Sequence, residues 1–325
     1  MFMLSNEHIL VTGSAGFIGS HLSQSLLARG ASVVGVDNFD LFYPREQKEN
    51  NLDEVRSSDG DRRFSFYEVD ICDQHALVDV MKSAGVTGVI HLAARAGVRP
   101  SIADAVGYAR ANVLGTQSVL SAASQAGCER AVCASSSSVY GNNTKVPFAE
   151  TDRVNDPISP YAATKLSCEI IGSTHHHLTK LPVAMLRFFT VFGPRQRPDL
   201  AMSLFLNRVS KGESINRFGD GTSSRDYTFI DDIVEGIIQS YLRIDAHGYR
   251  VWNLGGNHPI SLNEMIATIG RVVGKDAIIK EMGMQPGDVE QTWADLQRSQ
   301  EELGYSPSTS IYDGLVEQWA WMQKH

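Results

Sequence analysis

Four consecutive serines, Ser135, Ser136, Ser137 and Ser138, close the apolar run in "CASSSSVYG" (residues 133–141), with no acid or base among them. Hydroxyls need a partner of different basicity to do chemistry, and "SPYAATKLS" supplies one. Tyr161 and Lys165 are four apart near the start of a helical run, so their side chains share one face. A phenol ionises near pH ~10 and is a weak base at neutrality. An ammonium beside it, or a cationic ring in an adjoining site, favours the phenolate. Such a tyrosine takes a proton from a substrate hydroxyl while hydride leaves the same carbon, and a strand-end serine can hydrogen-bond that hydroxyl and pass the proton. Alone, the Tyr–Lys spacing is also an ordinary helix pair, and a serine run also caps its own strand. The chemistry therefore requires a hydride acceptor elsewhere in the chain.

"VTGSAGFIGSHL" provides a place for one. Gly13, Gly16 and Gly19 fall between a β-branched strand and a helix, where a tight turn lets backbone approach a pyrophosphate and aims helix N–H groups at it. Asp37 ends the second strand, 18 residues after Gly19, where a carboxylate accepts from both ribose hydroxyls and repels a 2′-phosphate. NAD is the expected cofactor, although Arg45 and Lys48 nearby leave NADP open.

The elements that must position these groups alternate. "HILVTG", "ASVVGVD", "FSFYEVDI", "TGVIHLAA", "ERAVCASSS" and "LPVAMLRFFTVFG" read as strands; helical runs separate them, including one long helix over 101–126 and another from Tyr161 to His177. The expected fold is α/β, a Rossmann-type doubly wound parallel sheet with a smaller C-terminal α/β substrate lobe. A soft boundary divides residues 1–193 from 194–325, with chain crossings between the lobes. A net charge of −8 argues against a nucleic-acid partner, and no apolar run approaches the ~20 residues that span a bilayer. The start lacks the basic and small-residue features of a signal peptide, and Cys72, Cys128, Cys133 and Cys168 have no metal spacing, so a cytoplasmic protein with reduced thiols is expected. His175, His176 and His177 are consecutive and diverge on a helix, so no metal site is expected there. Asp231 and Asp232 read as an N-terminal cap.

The glycine turn, the serine-rich strand end and the Tyr–Lys pair together resemble the extended short-chain dehydrogenase/reductases that act on nucleotide sugars, over Leu10 to about Tyr312. The resemblance implies an NAD-binding N-terminal lobe and a nucleotide-sugar-binding C-terminal lobe. Sugar dehydratases of this superfamily resemble S-T-D-E-V-Y-G at the strand end, with an acid pair that eliminates water; here Ser136, Ser137 and Ser138 precede Val139-Tyr140-Gly141. The missing acids point to oxidation and re-reduction at one carbon. Aligned on "VYG", Ser136 matches the catalytic Ser or Thr, beside Tyr161 and Lys165. "DNFDLFYPREQKENNL", "LRFFTVFGPRQRPDLA" and "MQPGDVEQTWAD" resemble UDP-glucuronate 4-epimerases, in particular Thr190 and Gln285, where UDP-galactose 4-epimerases carry Asn and Arg.

That likeness implies Ser137, Ser138, Thr190 and Arg197 at a sugar carboxylate, Arg225 at the diphosphate, Arg99 beside the sugar or phosphates, Phe218 at uracil and Asp288 at a ribose hydroxyl. On the cofactor side it implies Phe17, Ile18 and Asn38 with the glycines and Asp37. Asp70 and Ile71 would flank adenine, Leu92, Ala93 and Ala94 would line the path, and Asn112 would face it. A homodimer through the 101–126 and 161–178 helices is expected. UDP-glucose/galactose 4-epimerisation, UDP-glucuronate decarboxylation and a non-catalytic NAD-binding sensor or scaffold stay open as alternatives.

Overall fold

The β-branched run His8–Thr12 forms β1, and the glycine turn delivers the chain into α1 (Phe17–Ala28). β2 (Ser32–Asp37), α2 (Arg45–Ser58), β3 (Phe64–Glu68), α3 (Gln74–Ser83) and β4 (Gly88–His91) continue the alternation. In the computed structural model, residues 3–283 and 290–325 are described.

The stretch before β5 (Arg130–Ser136) departs from the single helix expected over 101–126. It comprises α4 (Val98–Ala103), α5 (Ala105–Tyr108), a π-helical stretch Ala109–Leu114 and α6 (Gly115–Ala126). Asp104 makes the first break, since its side chain accepts from Gly107 N and restarts the helix. The wider π turn then shifts which face points inward. Asn112 is buried, whereas Ile102, Val106 and Leu114 are left exposed. Helix α7 (Pro160–Thr179) begins with Ser159 Oγ accepting from Ala162 N at 3.1 Å and a proline in its first turn.

"LPVAMLRFFTVFG" likewise forms two strands rather than one. β6 (Val183–Phe188) lies in the large sheet and β7 (Thr190–Phe192) in another. The buried Phe189 is the pivot; its N–H reaches Leu254 O at 3.0 Å before the chain leaves the sheet. The second half supplies α8 (Ala201–Lys211), β8 (Ser214–Phe218), β9 (Ser224–Phe229), α9 (Ile230–Arg243), β10 (Tyr249–Leu254) and β11 (Pro259–Ser261). It ends with α10 (Leu262–Val273), β12 (Ile278–Met282), α11 (Gln297–Leu303) and α12 (Ile311–Met322).

The large sheet is parallel, in the order β10-β6-β5-β4-β1-β2-β3. Strand order reverses between β1 and β4, and doubly wound sheets bind ligands at the carboxyl ends of strands at such a point. Side-chain alternation fills both faces: Ile9, Val11, Val132 and Leu186 pack in one core, and Leu10, Ala131, Cys133 and Met185 in the other. β11-β9-β7 and β12-β8 form two small sheets. Residues 230–254 return to the large sheet although they follow residue 193, with α9 against β5 and β6 and β10 on its edge.

Asp231 and Asp232 lie in the first turn of α9 without capping it. Asp232 instead accepts from Ser308 N and Thr309 N at 3.1 and 3.2 Å, tying down the chain before α12. His175 meets Ser124 Oγ and His176 meets Leu181 O, each at 2.8 Å, and no metal-holding group of side chains occurs among the described residues. No helix there is long and apolar enough to cross a membrane.

His91 joins β1, β4 and α6 directly behind the glycine turn. Thr12 Oγ1 accepts from Leu92 N and Ala93 N at 3.2 and 3.1 Å, so its own hydrogen goes to His91 Nδ1 at 2.7 Å. His91 Nε2 then donates to Thr116 Oγ1 at 3.1 Å. Burial, with the Lys165 charge adding, pushes the ring down to about 3 from an ordinary 6.5. The stability held by the neutral ring is intact above pH ~6.5 and drains away as pH falls toward the folded-state value. Urea titrations at pH 7 and pH 5 should show a fall, of which about 2 kcal/mol belongs to His91. His91→Gln should flatten the fall by that amount; an equally steep fall in the variant contradicts the assignment.

Candidate active site

The glycine turn is built by contact as well as by backbone angle. Gly13 has φ +72°, and a Cβ there would lie 2.9 Å from Ala93 N. At Gly19 a Cβ would sit 2.0 Å from Gly13 O, so the first turn of α1 packs directly on the loop. In front of it lies a cavity of about 390 Å³ running from Gly13 past Ala93 to Asp37 and Asp70. Phe17, Ile18, Asn38, Ile71, Leu92 and Ala94 also line it. Asp37 Oδ1 accepts from Phe39 N at 2.8 Å and from the buried Lys48 Nζ at 3.3 Å. Arg45 turns away to Glu49 and Glu68, at 2.7 and 2.9 Å. Both cations named as openings for a 2′-phosphate are thus engaged by carboxylates. A glycine cradle, an α1 N-terminus and a β2-terminal carboxylate fit NAD.

The far end of this cavity is closed by the carboxyl end of β5 and the start of α7. Lys165 Nζ donates to Ala134 O at 2.7 Å, and Ser135 Oγ donates to Glu169 Oε1 at 2.5 Å. Ser136 Oγ accepts from Ser138 N at 3.2 Å and Ser138 Oγ at 2.9 Å. Two acceptor sites are then taken, and the group Ser136 offers outward is its own O–H. Ser136, Tyr161, Thr190, Arg197 and Leu200 form a wall shared with a second cavity of about 700 Å³. Lys165 faces the first cavity only, and Ser137 and Ser138 the second only.

The second cavity lies between α4 and the β8–β9 region. Arg99 of α4 reaches across it, its guanidinium 5.2 Å from the Phe218 ring at the end of β8. Arg225 of β9 lines it and donates to Ser224 O at 2.8 Å. Arg197 grips Asp199 with two bonds of 3.0 and 2.7 Å and stacks 4.5 Å from the Phe42 ring. Burial raises the Asp199 carboxyl, but the Arg197 fork wins and holds it below its ordinary value. Gln285 and Asp288 lie outside the described residues.

A family model described as GDP-mannose 4,6 dehydratase matches residues 10–318. A UDP-glucuronate 4-epimerase of Thermodesulfobacterium geofontis is 39% identical over 319 residues, 98% of this chain and 97% of that protein. The chain belongs to the NAD-dependent epimerase/dehydratase family. The crystal structure of UDP-glucuronic acid 4-epimerase from Bacillus cereus, with UDP-glucuronic acid and NAD, superposes at a TM-score of 0.91 with 36% identity, covering 98% of this chain and 99% of that one. UDP-glucose 4-epimerase of Thermotoga maritima, with UDP-glucose, gives 0.87 and 30%, again over 98% and 99%.

Of the expected cofactor-side residues, Asn112 is the one that does not line the first cavity. Asn112 does not face the dinucleotide path; the π turn buries it, and its amide is spent on Arg95 N and O at 2.8 and 3.0 Å and on Thr164 Oγ1 at 3.0 Å. It holds the strand-end loop after β4 against α7. Other groups escaped the sequence reading. Arg95 ties Asp40 of the loop over the cofactor cavity to Asp104, at 2.9 and 2.5 Å, and the Tyr108 and Tyr161 rings meet edge to face with centroids 6.3 Å apart. The buried pair Glu169–Arg187 was also missed, although an arginine inside "VAMLRFF" signals a cation that needs a buried partner.

Gly19→Ala would force a methyl into the Gly13 carbonyl and displace the turn. The variant should keep its far-UV circular dichroism but carry at least ten-fold less NAD, read by absorbance after acid release. Wild-type NAD content contradicts the cradle.

Proposed function

We propose that this protein interconverts UDP-glucuronate and UDP-galacturonate by inverting C4 through a 4-keto sugar, with NAD retained and recycled. The observation that carries the reading is the wall between the two cavities. It holds a proton-transfer pair, Ser136 and Tyr161, beside a hydroxyl cluster of Ser137, Ser138 and Thr190 with Arg197, and no acid at the end of β5. The relatives named above support it.

A bound NAD supplies reversible acceptance of the C4 hydride. Tyr161 Oη takes the C4 hydroxyl proton, and Ser136 Oγ donates to the same oxygen as the carbonyl forms. Lys165, fixed on Ala134 O, keeps a positive charge one helical turn along from the phenol. Arg99 and Arg225 hold the diphosphate, about which the flat keto sugar turns, and Phe218 packs on uracil. Tyr161 then returns the proton to the C4 oxygen as the hydride comes back to the opposite face of C4. The keto uronate is a β-keto acid and loses CO₂ when its C5–C6 bond aligns with the carbonyl π system. Ser137, Ser138, Thr190 and Arg197 hold the carboxylate out of that alignment by charge-assisted hydrogen bonds.

A neutral UDP-hexose is the second reading, because Asp199 already satisfies the Arg197 fork. Decarboxylation is disfavoured by the missing acids, and a non-catalytic role by the intact Ser136, Tyr161 and Lys165. The reading includes a homodimer in a reducing, cytoplasmic setting. Ile102, Val106 and Leu114 before α6 and Ile170 and Leu178 on α7 are exposed, and all four cysteines are free thiols.

Purified protein given UDP-glucuronate alone should yield UDP-galacturonate by NMR, without CO₂. Thr190→Val should raise CO₂ release per turnover at least ten-fold. UDP-xylose from the wild type, or faster turnover of UDP-glucose, would overturn the reading; unchanged partition in Thr190→Val would remove the carboxylate clamp.

A further inference from the structure

β5 and α7 meet through consecutive residues on the strand and every fourth residue on the helix. Ser136 stands with Tyr161 in the shared cavity wall, Ala134 O takes Lys165 Nζ, and Ser135 Oγ reaches Glu169. Tyr161, Lys165 and Glu169 therefore share one face of the helix. Glu169 is 4% exposed and Arg187 of β6 3%, so neither charge has water to solvate it. They satisfy each other through a two-bond fork, Arg187 Nε to Oε1 at 2.9 Å and Nη2 to Oε2 at 2.8 Å. Ser135 and Arg187 are direct partners in the β5–β6 register, so adjacent strands present both donors to one carboxylate. The Arg187 guanidinium lies 4.8 Å from the Tyr140 ring, and Tyr140 Oη donates to Asn253 Oδ1 at 2.7 Å. On the other side, Tyr249 Oη of β10 donates to the Glu169 carbonyl at 2.8 Å.

An apolar contact between helix and sheet tolerates sliding, whereas directional bonds at separated points do not. The Lys165 bond is one such point. Glu169 gives a second, about 6 Å further along the helix axis, and two points fix both height and tilt. We infer that Glu169, through Ser135 and Arg187, is a positioning residue that sets α7 along β5 and so the placement of Tyr161 against Ser136. The inference rests on the reading of Ser136 and Tyr161 as the proton-transfer pair. That pair works twice per turnover, once on each face of the sugar, so a displacement of α7 is felt in both halves. Misplacement by about 1 Å can cost roughly 100-fold in rate.

The test compares Ser135→Ala, Glu169→Gln and the double variant, each purified with its bound NAD and assayed on the UDP-sugar that the wild type turns over best. Each single change should lower kcat per bound NAD at least ten-fold with KM within two-fold. The double variant should be no slower than the slower single, since both act through one contact. Glu169→Gln should also melt at lower temperature; Ser135→Ala removes a single hydroxyl, so the test survives if Glu169→Gln does not fold. Full kcat in Ser135→Ala, or a double variant equal to the product of the singles, overturns the positioning role. Tyr161→Phe is the control. A wild-type rate there overturns the proton-pair reading itself, whereas a dead Tyr161→Phe with a fully active Ser135→Ala overturns only the positioning.

Discussion

The seating of α7 against the end of β5 is the constraint on which the site depends. Lys165 Nζ is held on the Ala134 carbonyl, and Ser135 on Glu169, so consecutive strand residues are committed to successive turns of one helix. Ser136 is then presented beside Tyr161 in the wall that both cavities share. The buried Arg187 compensates Glu169 from the neighbouring strand, which keeps a charge where an unpaired one would cost several kcal/mol.

The second constraint is the break at Phe189. Strand β6 lies beside β5 in the parallel sheet, and after one buried residue β7 joins β9 in a different sheet. Thr190 is thereby carried out of the Rossmann layer to the junction of the two cavities. Arg197 and Leu200 follow on the same connection and stand with Thr190 in the wall that both cavities share. The chain returns to the large sheet through α9 and β10, and Arg99 of α4 reaches over to Phe218 of β8.

Much of this was legible in the sequence because it is local. The glycine turn, Asp37 and the Tyr161–Lys165 spacing are short patterns whose geometry follows from one turn or one helix face, and strand–helix alternation implies the sheet. What was not legible depends on contacts distant in sequence. Asp104 and the π turn break a periodic helix and turn Asn112 away from the cofactor path. Apolar content alone did not reveal that "LPVAMLRFFTVFG" divides between two sheets. Glu169 continued the Tyr–Lys face by four residues, but its significance needs Ser135 and Arg187, which lie 34 residues before it and 18 after it. Arg197 was read as a substrate contact, and its pairing with Asp199 was visible only in three dimensions.

The central claim is that C4 loses and regains the same hydride inside one closed site. Conversion of UDP-glucuronate carrying deuterium at C4, in ordinary water and without added cofactor, tests it most directly. The account predicts UDP-galacturonate with the deuterium retained at C4. Loss of the label to solvent would contradict it.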